Sequence, residues 1–95
     1  IVITYDEFGG AWDHVAPPTG DSLGPGARIP ALIISPFARK STVDHTPYDT
    51  GSIMRLVIRR FGLATLPGIA QRDRALALHG EPPMGDLTNA LDLTP

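Results

Sequence analysis

The spacing of apolar and polar residues predicts two β-strands in the first part of the chain. The first run, IVITY at residues 1–5, consists of residues that favour strands, and the polar DEFGG that follows ends it. The second run, RIPALIISP at residues 28–36, is rich in isoleucine, and Pro30 belongs near its beginning because proline cannot donate to a β-ladder. We therefore expect a buried first strand and a second strand, joined by an exposed loop at residues 16–27 that is rich in proline and glycine.

A helical pattern follows at residues 43–63, VDHTPYDTGSIMRLVIRRFGL. Thr46 can serve as its N-cap, because Pro47 then occupies the favoured first position and Asp49 stands where a capping box places an acid. A glycine weakens this first turn. A second interpretation therefore begins the regular helix near Thr50.

Apolar residues within this helix recur at helical spacing, and we expect their stripe to pack on the sheet: Ile53, Leu56, Val57 and Phe61. Gly62 is a natural C-terminal stop. Pro-Gly and Pro-Pro pairs interrupt the apolar runs beyond it, so we expect at most one or two further helical turns, around residues 70–79. The predicted fold class is α/β and loop-rich.

Composition limits the kind of protein that this chain can be. Its 95 residues, 42% of them hydrophobic, fit one small domain with a single core, and a net charge of -2 gives no reason to expect nucleic acid as a partner. The lack of cysteine excludes disulfides and thiolate metal sites. We expect neither a transmembrane segment nor a signal peptide within it. Because the chain begins without Met and inside a strand, we expect it to be a piece of a longer protein.

Two adjacent acids, Asp6 and Glu7, follow the first strand directly. Functional side chains gather beyond the carboxyl ends of strands in open α/β sheets, and carboxylate oxygens suit a hard cation or, together with imidazole, zinc, manganese or iron. Neighbouring strand residues point to opposite faces, so both acids reach one ion only if Gly9 and Gly10 let the chain leave the strand. The alternative interpretation is a solvated strand end.

Two Asp-His pairs add candidate groups. His14 follows Asp13, which can accept from the imidazole, and His45 follows Asp44 close to the predicted helix start, where backbone N–H groups favour an anion such as phosphate. The alternatives are a satisfied or surface histidine for His14 and a helix-capping cluster for His45. Arg28 can orient a phosphate or pair with the acidic loop, and we favour the plain ion pair.

Several segments together resemble one known family: TYDEFGGAWDHVAPP, GPGARIPALIISPFARKSTVDHTPYDTGSIMRLVIRRFGL, QRDRAL and LTNALDL. The arrangement D-E-x-x-G-x-x-D-H-V is met here by the stretch from Asp6 to Val15. These motifs resemble the C-terminal part of the bacterial phosphoesterase family that contains non-haemolytic phospholipases C and acid phosphatases. That family is similar to the alkaline-phosphatase superfamily. The resemblance implies that residues 1–95 are the C-terminal portion of a catalytic domain whose upstream part is missing.

The resemblance also implies a fold and an activity. The fold would be a fragment of an alkaline-phosphatase-like one, a mostly parallel sheet flanked by helices. Asp6 and Glu7 would bind a divalent metal ion of unknown identity, and His14 and His45 would support the site or contact phosphate. The metal would serve hydrolysis of a phosphate ester or phospholipid, and family resemblance suggests a secreted or periplasmic protein.

Departures from the family pattern limit this expectation. The family's N-terminal motif and its Ser/Thr nucleophile region are absent, and none of the serines here stands in a nucleophile motif. Phe8 stands where histidine is frequent in the family. We therefore expect the fragment alone to be inactive. The alternatives are a sulfatase-like or phosphodiesterase member of the same superfamily, and a small non-enzymatic α/β binding or interaction domain.

Overall fold

The computed structural model describes residues 1–94. Its regular elements are, in chain order, strands β1 (Val2–Thr4) and β2 (Ala31–Ile33), helices α1 (Gly51–Phe61) and α2 (Pro67–Leu78), and a 3-10 turn at Thr88–Ala90. This mixture of strands and helices agrees with the predicted α/β class. Pro95, the last residue of the predicted portion, lies outside the described residues.

The two strands form an antiparallel pair in which Val2 lies opposite Ile33 and Thr4 opposite Ala31. The resemblance implied a mostly parallel sheet, whereas the strand pair within residues 1–94 is antiparallel. A parallel pair needs a crossover, usually a helix, and the connection between β1 and β2 contains no helix. The alkaline-phosphatase-like arrangement stays a prediction for the longer protein.

The prediction that the first strand is buried is wrong, and the second strand is exposed on the same side. Ile3 and Leu32, which point away from the helices, are 50% and 62% exposed. On the opposite face, Val2 and Ile33 line an apolar cavity of about 290 Å³ that Ile53 of α1 also lines. Side chains alternate along a strand, so a two-stranded sheet with a helix on one side buries only one set of them, and that only in part.

Helix α1 begins at Gly51 with Thr50 as its N-cap, so the second interpretation of its start is confirmed and Thr46 is not the N-cap. The N–H of Asp49 donates to Ser52 Oγ at 3.0 Å, and the N–H of Ser52 donates to the Asp49 carbonyl at 2.9 Å. The N–H of Thr46 donates to the side chain two residues before it, and residues 42–49 lie outside the helix.

The end of α1 agrees with prediction, but its apolar stripe is only partly covered. Gly62 closes the helix in the left-handed conformation at φ 62°, where glycine carries no steric cost. Ile53 faces the sheet across the apolar cavity, whereas Val57 and Phe61 are 36% and 66% exposed. The expected packing of the stripe on the sheet is therefore limited to the N-terminal end of α1.

Helix α2 is longer than the one or two turns expected around residues 70–79. It begins at Pro67, because proline at the first helical position loses an N–H that has no intrahelical partner there. Neither α1 nor α2 within residues 1–94 has the length and apolar character needed to cross a membrane. The core lies between the helices and the segment that follows them, and its buried side chains are Ser52, Ile69, Leu76, Met84 and Leu87.

Candidate functional site

The two predicted metal-binding acids lie in an exposed turn directly after β1. The N–H of Glu7 donates to Asp6 Oδ1 at 3.1 Å, and the N–H of Gly9 donates to Glu7 Oε2 at 2.9 Å. Gly9 and Gly10 have φ of 65° and 74°, a conformation that side chains rarely adopt, and here the chain leaves the strand direction. In each carboxylate, one oxygen thus accepts a backbone hydrogen bond of the turn, and the other oxygen accepts none from residues 1–94.

Asp13 forms a bidentate ion pair with Arg28. Arg28 Nε lies 2.8 Å from Asp13 Oδ2, Arg28 Nη2 lies 2.8 Å from Oδ1, and the N–H groups of Arg28 and Val15 also donate to this carboxylate. The hydrogen bond from the Arg28 side chain, followed by that from the Val15 N–H, holds the pKa of Asp13 well below its usual range. The predicted plain ion pair of Arg28 with the acidic loop is confirmed.

His14 lies beside this ion pair but is not part of it. Its Nδ1 is 3.7 Å from Asp13 Oδ1, too long for a hydrogen bond, and its side chain is 74% exposed. Asp13 therefore serves Arg28 and does not orient His14. An open cavity of about 410 Å³ adjoins the pair and is lined in part by Phe8 and Trp12.

His45 lies in an extended segment just before α1. Its predicted partner, Asp44, is engaged elsewhere: Oδ1 accepts from the N–H of Thr46 at 2.9 Å and Oδ2 from the hydroxyl of Tyr48 at 2.5 Å. The Tyr48 bond and then Thr46 lower the pKa of Asp44, while burial and the bond to Asp44 raise the pKa of Tyr48 to about 12. Asp44 thus shapes the backbone around His45 and does not cap α1.

The described residues do not complete a metal site. Across residues 1–94, no group of three or more histidine, aspartate or glutamate side chains is arranged to hold a metal ion. Asp6 and Glu7 provide oxygen donors of the kind that hard cations prefer, so the donor chemistry suits a divalent metal while the number of donors falls short. Binding of a metal by these two acids stays a prediction.

An ion-pair network around α2 was missed by sequence analysis. Arg72 Nε lies 3.0 Å from Asp21 Oδ2 and Arg72 Nη1 lies 3.3 Å from Asp49 Oδ2, so one guanidinium joins the long loop, the start of α1 and α2. The hydrogen bond from Arg72 is the main cause that lowers the pKa of Asp21. The signal in the sequence was the charged QRDR stretch. Its side chains can be assigned to faces of a helix only when α2 is known to begin at Pro67.

The arginines of α1 differ in their surroundings. Arg59 and Arg60 are exposed, whereas Arg55 is mostly buried and binds Asp73 through two hydrogen bonds of 2.6 and 3.0 Å. Arg59 Nη1 lies 2.8 Å from Asp86 Oδ2. These pairs attach α2 and the C-terminal segment to α1, because each joins side chains from two different elements.

Comparison with known proteins identifies the class. The model of the phosphoesterase family matches residues 1–64, a stretch that holds the acidic turn, the Asp13–Arg28 pair, His45 and the whole of α1. The chain belongs to the phosphoesterase family. No solved structure matches the chain.

The curated relatives carry phospholipase C names. Phospholipase C B of Mycobacterium tuberculosis is 30% identical over 116 aligned positions, which cover 97% of this chain and 21% of that protein. Non-hemolytic phospholipase C of Pseudomonas aeruginosa is 28% identical over 123 positions, covering 97% and 17%. Non-specific phospholipase C1 of Arabidopsis thaliana is 38% identical over 63 positions, covering 50% and 12%. The chain spans about a fifth of the length of the first of these relatives.

Proposed function

We propose that this chain is the C-terminal part of a longer enzyme that hydrolyses phosphate esters, with a phospholipid or a simpler phosphomonoester as substrate. The single observation that carries the proposal is the match of the phosphoesterase family to residues 1–64. Relatives named phospholipase C favour a phospholipid substrate over the acid-phosphatase alternative. Location outside the cytoplasm remains a prediction that rests on the family resemblance alone.

Within this enzyme, Asp6 and Glu7 would supply two ligands to a divalent metal whose other ligands come from the rest of the protein. The exposed turn supports this role, because each carboxylate keeps one oxygen that the turn does not use. A metal bound there supplies polarisation of the phosphoryl oxygens. The two glycine residues after the turn keep both acids at the strand end, where a substrate can approach them.

The histidines have a supporting role in this proposal. His14 and His45 are both exposed, so either imidazole can donate to a phosphate oxygen. Arg28 is fully committed to Asp13 through a bidentate pair, and its contribution is to fix the loop that carries His14. The nucleophile is not assigned to any residue of this chain.

The test uses the full-length protein and two chromogenic esters, p-nitrophenyl phosphate and p-nitrophenyl phosphorylcholine. Hydrolysis is measured with the purified protein, after treatment with a chelator, and after return of Mg²⁺, Mn²⁺, Zn²⁺ or Ca²⁺. We expect release of p-nitrophenol that the chelator abolishes and one metal restores. Preference for the phosphorylcholine ester would assign the phospholipase C type, and preference for the phosphate would assign the phosphatase type.

The variants Asp6→Asn and Glu7→Gln test the site in the same assay. Substitution of residues that only support metal ligands costs about 10- to 100-fold, so loss of a direct ligand is expected to cost at least about 100-fold. Asp92→Asn is the matched control, because Asp92 is an exposed acid whose contacts are to Thr94. Retained activity in both acidic-turn variants would contradict the metal assignment. A folded, metal-loaded protein that cleaves neither these esters nor a sulfate ester would favour the non-enzymatic domain.

A further inference from the structure

The segment that carries His45 is held from the far end of the chain. The N–H of Gly85 donates to the carbonyl of Pro47 at 2.8 Å, and Asn89 Nδ2 donates to Thr46 Oγ1 at 2.9 Å. Both contacts fall within the three residues that follow His45. Since Asn89 and Thr46 are separated by 43 positions, this packing is a property of the tertiary structure and not of a local turn.

Gly85 allows this approach because it has no side chain. A Cβ atom at Gly85 would lie 2.6 Å from Thr46 Cγ2 and 2.7 Å from Tyr48 Cε1, closer than carbon atoms can approach. An alanine there would displace the side chains of Thr46 and Tyr48. The glycine is thus required by close packing against the His45 segment.

The residues around His45 are fixed from within the segment as well. Both oxygens of Asp44 accept hydrogen bonds, from the N–H of Thr46 and from the Tyr48 hydroxyl, so residues on either side of His45 are restrained. Neither oxygen is left to orient the imidazole. The position of His45 therefore depends on its backbone, and the backbone depends on the contacts with Gly85 and Asn89.

The C-terminal segment is itself anchored. Asp86 accepts from Arg59 of α1 and from the N–H and hydroxyl of Thr88, and Met84 and Leu87 are buried in the core. A segment fixed to α1 and to the core can act as a rigid support. A loosely attached tail could not restrain residues 44–48.

We propose that Gly85 and Asn89 are positioning residues for His45, so that the C-terminal segment 84–89 holds this histidine in place for contact with the phosphate ester. The inference rests on the proposed function, in which His45 contacts phosphate. It adds a role for a stretch that lies outside the part of the chain matched by the family model.

The test combines two substitutions in the full-length protein, Asn89→Ala and His45→Gln, alone and together. Because a misplacement of 1 Å can cost about 100-fold, we expect Asn89→Ala to lower kcat about tenfold or more with little change in KM. In the His45→Gln background the same substitution should cost nothing further, since the residue that it positions is gone. Asn89→Leu, which keeps a similar size but can neither donate nor accept a hydrogen bond, should behave like Asn89→Ala.

A glycine pair provides the second arm. Gly85→Ala should reproduce the loss seen for Asn89→Ala, whereas Gly68→Ala should not, because a Cβ atom at Gly68 meets nothing within 4 Å. If Gly85→Ala does not fold, the Asn89 variants alone still test whether His45 is positioned by segment 84–89. The proposal would be overturned if either Asn89→Ala or His45→Gln kept full activity. It would also be overturned if Asn89→Ala lowered kcat by the same factor in the wild-type and His45→Gln backgrounds.

The imidazole resonance of His45 separates failure of this inference from failure of the proposed function. The Cε1–H signal, assigned by its loss in His45→Gln, is expected to shift or broaden in Asn89→Ala and to stay unchanged in Gly68→Ala. If the wild-type protein hydrolyses no phosphate ester, the proposed function fails. A shifted Cε1–H signal in Asn89→Ala would then still show that segment 84–89 positions His45. An unchanged signal overturns it whatever the activity.

Discussion

Residues 1–45 and residues 46–94 differ in what holds them together. The first region contains no buried side chain, and Trp12 is 87% exposed. All five buried side chains of the described chain belong to the second region, where ion pairs also join separate elements. Most side-chain hydrogen bonds of the first region close turns of one or two residues, as at Asp6, Glu7 and Asp13.

Most candidate site residues therefore lie in one region, and the residues that stabilise the fold lie in the other. Three of the four candidate site residues, Asp6, Glu7 and His14, are placed by contacts within the first region: the two acids by hydrogen bonds to neighbouring N–H groups, and the loop that carries His14 by the Asp13–Arg28 pair. The fourth, His45, lies at the boundary, and the residue after it, Thr46, accepts a hydrogen bond from Asn89 of the second region. Substitutions in the first region should therefore alter the site with little effect on stability, and substitutions in the second should do the reverse, except where they reach His45.

The largest expected effect on stability comes from the core of the second region. Leu76 is fully buried, so Leu76→Ala should lower the free energy of unfolding by about 2 to 5 kcal/mol. Leu78, two residues further along α2, is 85% exposed, and Leu78→Ala should change it by no more than about 0.5 kcal/mol. Urea unfolding of both variants measures the difference. Equal losses would show that α2 does not pack as described.

The next effect concerns Arg72, which connects the two regions through Asp21 and also pairs with Asp49 of its own region. Arg72→Ala leaves two carboxylates without their cation, so the urea midpoint should fall by an amount between those of the two leucine variants. Arg74→Ala is the matched control, because Arg74 lies on the same helix, is exposed and forms no ion pair within residues 1–94. A similar fall for both arginine variants would contradict the proposed connection between the regions.

Sequence analysis succeeded where local chemistry decides the outcome. Gly62 ends α1 because the left-handed conformation closes the helix there, and Arg28 pairs with Asp13 at the two ends of the loop that joins the strands. It failed where packing decides. The burial of the strands depends on a second layer that sequence does not reveal, and Arg72 reaches Asp21 across 51 positions. Pro67 was interpreted as a break because its neighbour is glycine, although the first helical turn tolerates both.

The candidate site shows the same division. The acidic turn at Asp6 and Glu7 was predicted from its composition, since the Gly-Gly pair after Phe8 indicates that the chain leaves the strand there. The partner of Asp44 was not, because Tyr48 becomes available only when residues 44–48 stay out of the helix. The support of His45 by Gly85 and Asn89 has no local signal, because the contacts join residues that the sequence keeps far apart.

A smaller effect on stability concerns pH and the second region. Burial tends to raise the pKa of Asp86, but Thr88 and Arg59 together lower it to about 2. A depressed pKa in the folded state contributes stability that is complete above the unfolded value of about 3.9 and is lost as pH falls through about 2. Asp86→Asn should therefore flatten the pH dependence of the urea midpoint below about pH 4. An unchanged slope between about pH 4 and pH 2 would contradict this assignment.

The smallest expected effect on stability lies in the first region and sharpens the comparison most. Arg28→Ala removes the hydrogen bonds that hold the pKa of Asp13 below its usual range, so that pKa should rise, as measured by the carboxyl carbon shift of Asp13 in an NMR titration. The pKa of Asp92, which Thr94 lowers, is the internal control and should not move.

Because the Arg28 side chain is 61% exposed, solvent screens its charge, and the urea midpoint near neutral pH should change little in Arg28→Ala. The sign at low pH follows from the lowered pKa: the contribution of Asp13 is present above the unfolded value and disappears as pH falls, so the variant and the wild type should converge in acid. A large loss of stability at neutral pH would instead mean that this exposed loop supports the fold, and the division between the two regions would have to be abandoned.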